Sequence, residues 1–211
     1  KEGGADAAKF QTYKAEKIAS INSPYYWDIS KESTKSQYQL FKKYDSFETK
    51  DYEELAKYCQ NCNIDFLSTP FDLDAVDSLN PLMNAFKIAS ADITNIPLLR
   101  KVASKNKPII LSTGAANKKE INIALKTLNN SGVPDNNIIL LHCILNYPTS
   151  YKNANLLMIK DLIKSYPSHL IGYSDHTLPN YEMNCPIAAF MIGAVVIEKH
   201  FTHNKNLEGN D

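Results

Sequence analysis

No run of 18 apolar residues occurs in the chain, so it holds no stretch of the length that a membrane-crossing helix needs. Cysteine is scarce: Cys59, Cys62, Cys143 and Cys185 lack the spacing of a disulfide framework. No signal-peptide pattern is read at the start. A soluble protein of the reducing cytoplasm, with no membrane partner, is the expectation. An excess of either charge is missing too, because Lys+Arg and Asp+Glu number 23 each. No global field recruits nucleic acid or an acidic membrane, and a bound anion must be captured by local groups. Finally, no glycine-rich dinucleotide fingerprint follows any apolar run, which weighs against a Rossmann sheet.

What the chain does have is alternation. Its 211 residues, with 44% hydrophobic and 22% charged, suffice for one well-buried domain. Strand-like runs lie near residues 8–12, 65–68, 85–89, 108–112, 138–143, 170–173 and 194–199. Helical patterns fall between them at 52–62, 73–80, 96–104, 118–128, 156–165 and 188–192. Strands alternating with helices predict a parallel sheet with right-handed crossovers. Polar residues at the ends of successive strands favour a (β/α)8 TIM barrel, here one strand short. Residues 14–48 break the short-loop rhythm, with a short helix expected around 36–44. A long βα loop on a barrel reads as a lid or an interface element. The chain opens without Met and stops at Gly209-Asn-Asp211, so both ends read as cuts through a larger protein.

Three segments carry the chemistry: Lys87-Ile-Ala-Ser90, Gly172-Tyr-Ser-Asp-His176 and Glu198-Lys-His200. Each sets cationic, hydroxyl or imidazole groups where an apolar run ends, the place where α/β folds keep their reactive groups. Lys87 sits in an otherwise apolar strand, where burying a charge is costly unless it serves an anion. Two histidines at successive strand ends suit a divalent cation better than either would alone. The Cys59/Cys62 pair falls on a helix with no second pair of ligands nearby, which argues against zinc. His142 reads as packing and His203 as surface.

Eight segments in order carry a resemblance that runs end to end. They include Gly4-Ala-Asp-Ala-Ala-Lys9-Phe-Gln11, Phe66-Leu-Ser-Thr69-Pro-Phe71, Phe86-Lys87-Ile-Ala-Ser90-Ala-Asp92 and Ile110-Leu-Ser112-Thr113-Gly. Leu141-His-Cys143, Tyr147-Pro-Thr, Gly172-Tyr-Ser174-Asp175-His176-Thr177 and Glu198-Lys-His200-Phe-Thr202 complete the set. Together they resemble the sialic acid synthase family, the N-acetylneuraminate synthases and their legionaminate and pseudaminate relatives. One departure stands out: many relatives carry a polar residue two positions before the Tyr, where this chain has Leu145.

The resemblance implies condensation of phosphoenolpyruvate with an N-acetylated amino sugar, N-acetylmannosamine first, to give a nine-carbon 2-keto sugar acid and phosphate. N,N'-diacetyllegionaminate synthesis from 2,4-diacetamido-2,4,6-trideoxymannose is the alternative, and a non-catalytic sugar-phosphate-binding relic is the third reading. By resemblance, Lys9, Thr69, Lys87, Ser90, Ser112 and Ser174 bind phosphoenolpyruvate. His176 and His200 hold Mn2+ or Mg2+, and Gln11, Tyr147 and Asp211 meet the sugar. The catalytic set is Lys87, Asp92, His176 and His200, with Asp92 orienting water or taking a proton. The family also implies a homodimer, a first barrel strand ahead of Lys1, and an antifreeze-like domain beyond Asp211. On that reading the chain is a fragment of the catalytic barrel.

Overall fold

The computed structural model describes residues 3–30, 32–179 and 182–204. The chain divides into two compact units, one up to Lys87 and one from Ile88 onward. All seven expected strands form, and the pairings between them described below are parallel, giving an α/β fold.

The first unit pairs β1 (Ala7–Thr12) with β2 (Asp65–Pro70), in a register that sets Lys9 opposite Leu67 and Gln11 opposite Thr69. Between them run α1 (Ala15–Ile18), α2 (Gln37–Tyr44) and α3 (Thr49–Asn61). The long 14–48 segment is therefore built rather than bare. Ser36 caps α2 by accepting the Gln39 N–H, a bond that satisfies one of the helix's orphan donors. Trp27 Nε1–H is shared between the Glu32 and Thr34 carbonyls, pinning the segment's middle. α4 (Leu73–Leu79) follows β2, capped by Asp72 on two N–H groups, and then comes β3 (Phe86–Ile88), with all three residues buried.

Ile88 opens the second unit, whose sheet order is β3, then β4 (Ile109–Ser112), β5 (Ile138–His142), β6 (Leu170–Asp175) and β7 (Ile197–Lys199). Ile109, Leu111, Ile138 and Leu140 are fully buried, and each such side chain contributes about 1.5–3 kcal/mol of apolar transfer. The connecting helices are α5 (Ile96–Ala103), α6 (Lys118–Asn130), α7 (Met158–Ser165) and α8 (Asn184–Ile192). Asn117 and Glu120 close a reciprocal capping box on α6.

Several boundaries differ from expectation, among them α3, which starts at Thr49 rather than near residue 52. α8 starts earlier than its apolar run, at Asn184. β7 starts later, although Val195 N–H to Ile171 O and Tyr173 N–H to Val196 O, both 2.8 Å, carry the pairing ahead of it. That approach explains Gly172 in mid-strand, because a Cβ there would meet Val196 O at 2.6 Å.

Candidate active site

The β6–β7 register builds the densest polar cluster. It sets Ser174 opposite Glu198 and Asp175 opposite Lys199, so the motifs Ser174-Asp175-His176 and Glu198-Lys199-His200 run side by side. Side chains alternate along a strand, so the residues separate onto two faces. Ser174, His176, Glu198 and His200 share one face. Tyr173, Asp175, Thr177 and Lys199 share the other.

The first face carries the reactive groups. His176 Nδ1–H donates to the Ile144 carbonyl at 2.6 Å, which leaves Nε2 with a bare lone pair. Ser174 Oγ–H donates to Glu198 Oε1 at 2.7 Å. Ser174 Oγ also lies 3.3 Å from His176 Nε2, a longer hydrogen-bond contact to which the same hydroxyl can turn. The His176 and His200 rings are 5.4 Å apart at their centroids and nearly perpendicular, and Tyr147 lies 4.2 Å from the first and 5.7 Å from the second. Burial holds the His176 imidazole below its usual range, outweighing the Ile144 carbonyl, and the neighbouring His200 pushes the same way. His176 is thus neutral at ordinary pH, as a ligand must be.

The second face is a support. Asp175, buried, accepts from the Tyr173 hydroxyl at 2.9 Å, the Thr177 N–H at 3.0 Å and its hydroxyl at 2.8 Å, and pairs with Lys199 at 3.1 Å. Burial pushes the Asp175 carboxyl up. The Thr177 groups, Tyr173 and Lys199 together outweigh it and hold the carboxyl below its usual value. Tyr173 is pushed well above the usual phenol range by burial and by the Asp175 charge.

Ser90, Ser112 and Thr113 are buried where β3 and β4 end. Ser90 Oγ accepts the Gly114 N–H at 2.9 Å and lies 3.0 Å from Cys143 Sγ. Asp92 closes the short 3-10 turn from Ser90 and accepts from the Asn95 amide at 3.1 Å; burial raises its carboxyl above the usual range. In the first unit Lys87 and Thr69 are buried, Lys9 is half-buried and Gln11 is exposed. Asp211 lies outside the described residues. His142, read as packing, is buried, bonded to the Ala154 carbonyl and stacked on Tyr173.

Sequence reasoning assigned no role to Glu198, Asp175 or Lys199, although all three stand inside the quoted motifs. The signal was their spacing, two residues or one from a histidine. Two cavities, about 900 and 400 Å³, include neither histidine of the pair in their walls. The first lies at the amino ends of β1 and β2, and the second between α6 and α7.

As a metal site the fit is specific but partial. Nδ1 is tied to a carbonyl, which leaves the lone pair on Nε2, the outer-sphere pattern that orients ligating histidines. Among the described residues no group of three or more His, Cys, Asp or Glu side chains is arranged for a metal. A cation here would draw its other ligands from water and substrate.

Known proteins place the chain. The NeuB family matches residues 1–211. The chain is 44% identical to an N,N'-diacetyllegionaminic acid synthase of Campylobacter jejuni, covering all of this chain and 62% of that protein. It is 34% identical to the N-acetylneuraminate-9-phosphate synthase of Mus musculus, covering all of this chain and 57% of that one. The crystal structure of an N-acetylneuraminic acid synthetase from Leptospira borgpetersenii, in complex with citrate, superposes with a TM-score of 0.84 at 35% identity, over 99% of this chain and 66% of that one. The chain belongs to the NeuB family. It spans about three fifths of the length of the curated relatives it matches.

Proposed function

We propose that the protein carrying this chain condenses phosphoenolpyruvate with an N-acetylated amino sugar. C3 of the enol attacks the sugar's aldehyde carbon and forms the new C–C bond, while the aldehyde oxygen takes a proton. Water adds at C2, the C2–O bond to phosphorus breaks, and phosphate leaves. The observation that carries this reading is the pairing of Ser174-Asp175-His176 with Glu198-Lys199-His200, which sets two imidazoles side by side, one with Nδ1 tied to a carbonyl and Nε2 beside the Ser174 hydroxyl.

The roles are those the family resemblance implies. Lys9 and Lys87 are assigned to neutralise the substrate's anionic groups, with Thr69, Ser90, Ser112 and Ser174 as hydroxyl donors. Such charge-assisted bonds are about twice as strong as neutral ones, and fixed donors need little rearrangement as charge moves. Ser174 must turn its proton from Glu198 to serve as a donor. Gln11, Tyr147 and Asp211 are assigned to the sugar. Asp92, whose raised carboxyl suits proton transfer, orients or deprotonates the attacking water. His176 and His200 would hold Mn2+ or Mg2+, which supplies Lewis-acid polarisation of the aldehyde. The same reading carries a closed (β/α)8 barrel, a homodimer and a cytoplasmic setting.

The acceptor we set first is 2,4-diacetamido-2,4,6-trideoxymannose, because identity is higher to the relative named N,N'-diacetyllegionaminic acid synthase, 44% against 34%. N-acetylmannosamine is the second reading. The test is phosphate release from phosphoenolpyruvate by the full-length protein with Mn2+, each sugar offered separately. Release with the diacetamido sugar alone supports the first acceptor, and release with N-acetylmannosamine alone supports the second. Release with neither overturns the condensation and favours a sugar-phosphate-binding relic.

A further inference from the structure

We infer that Cys143 and Gly114 are positioning residues that keep the Ser90 hydroxyl proton available to an anionic substrate. The inference rests on the function proposed above and deepens it at one serine.

A hydroxyl has one proton to give and two lone pairs to receive. At Ser90 the Gly114 N–H, 2.9 Å away, takes one lone pair. The other neighbour is the Cys143 thiol at 3.0 Å. Sulfur either gives its S–H to the second lone pair or takes the hydroxyl proton as a weak acceptor. In both arrangements a carboxylate or phosphate oxygen outcompetes it, because a bond to an ionised acceptor is far stronger. Ser90 is buried, so the contact is made away from bulk water.

Two other hydroxyls show what the thiol avoids. Ser174 has given its proton to Glu198, and Thr12 and Ser68 in the first unit satisfy each other at 2.7 Å. An oxygen at position 143 would capture Ser90 in the same way. Gly114 is the counterpart of this choice. A Cβ there would lie 2.7 Å from Cys143 Sγ and 3.0 Å from Ser90 Oγ, so only glycine brings its N–H to Ser90 while leaving the thiol in place. The β4 end, the β3 end and the β5 end each contribute one member.

The test compares Cys143→Ala, Cys143→Ser, Ser90→Ala and the Cys143→Ser/Ser90→Ala double variant of the full-length protein. Phosphoenolpyruvate binding is titrated calorimetrically with Mn2+ present, and thermal unfolding is followed in parallel. Cys143→Ala is expected to bind within about threefold of wild type, and Cys143→Ser about tenfold more weakly, the scale of one charge-assisted hydrogen bond. In the Ser90→Ala background Cys143→Ser should have no further effect, which a packing role would not produce. Equal weakening by Ala and Ser, no weakening by Ser, or additive losses in the double variant overturns the inference alone. A wild type that binds no phosphoenolpyruvate overturns the proposed function, and this inference with it.

Discussion

Two carboxylates, one in each unit, are held in contrasting ways. In the first unit Glu48 meets Lys14 at the surface, 2.7 Å apart. In the second Asp175 lies buried beneath a strand end and takes bonds from Tyr173, Thr177 and Lys199. All five histidines of the chain fall in this second unit. Exposed pairs hold a segment's register at little energetic consequence, whereas a buried network dictates geometry because breaking it strands a charge.

That contrast can be broken or sharpened by substitution. The largest effect expected is from His176→Ala combined with His200→Ala, which should take phosphate release below detection and remove its Mn2+ dependence. Thermal unfolding should shift little, since neither ring is part of the apolar core; collapse of the fold would instead make the pair structural. Next, Lys87→Ala should raise the phosphoenolpyruvate KM by about 10–100-fold, the worth of one buried contact to a charged ligand. An unchanged KM removes Lys87 from the anion site.

Smaller still are the stability effects. Lys199→Met leaves the Asp175 carboxylate buried without its cation and should cost about 3 kcal/mol by denaturant unfolding. Lys14→Met, which breaks an exposed pair, should cost less than about 1 kcal/mol. Similar costs for the two would erase the distinction between the buried network and the exposed pair.

The smallest effect is on pH. Burial holds His142 and His169 below the usual imidazole range, so the unfolded chain takes up their protons first as pH falls. Their contribution is fully present above about pH 6.5 and is lost as pH drops from there toward their lowered folded values. The melting temperature should fall between pH 7 and 5, and a His142→Gln/His169→Gln variant should fall less.

Much of this was legible in the residues. Apolar runs such as Ile138-Ile-Leu-Leu141 marked every strand, and Ser36 marked the start of α2. The motif ends located His176, His200 and Ser90. What could not be read was the register between strands. Nothing local in Glu198-Lys-His200 says that Glu198 faces Ser174 rather than solvent, because that follows from a pairing 24 residues apart. For the same reason Ser174 was expected as a free donor, and its proton is already given to Glu198. Cys143 stood in the quoted segment Leu141-His-Cys143 with no role of its own until the fold brought Ser90 and Gly114 to it.

One bond has a bearing on how this site can change over generations. The partner that fixes the His176 tautomer is the main-chain oxygen of residue 144, not a side chain. Any amino acid at position 144 presents the same oxygen, since every residue carries a main-chain carbonyl. The side chains of the loop after β5 can therefore drift in sequence while the imidazole keeps its tautomer. The ring's orientation is written in backbone, and the loop's side chains are left to vary.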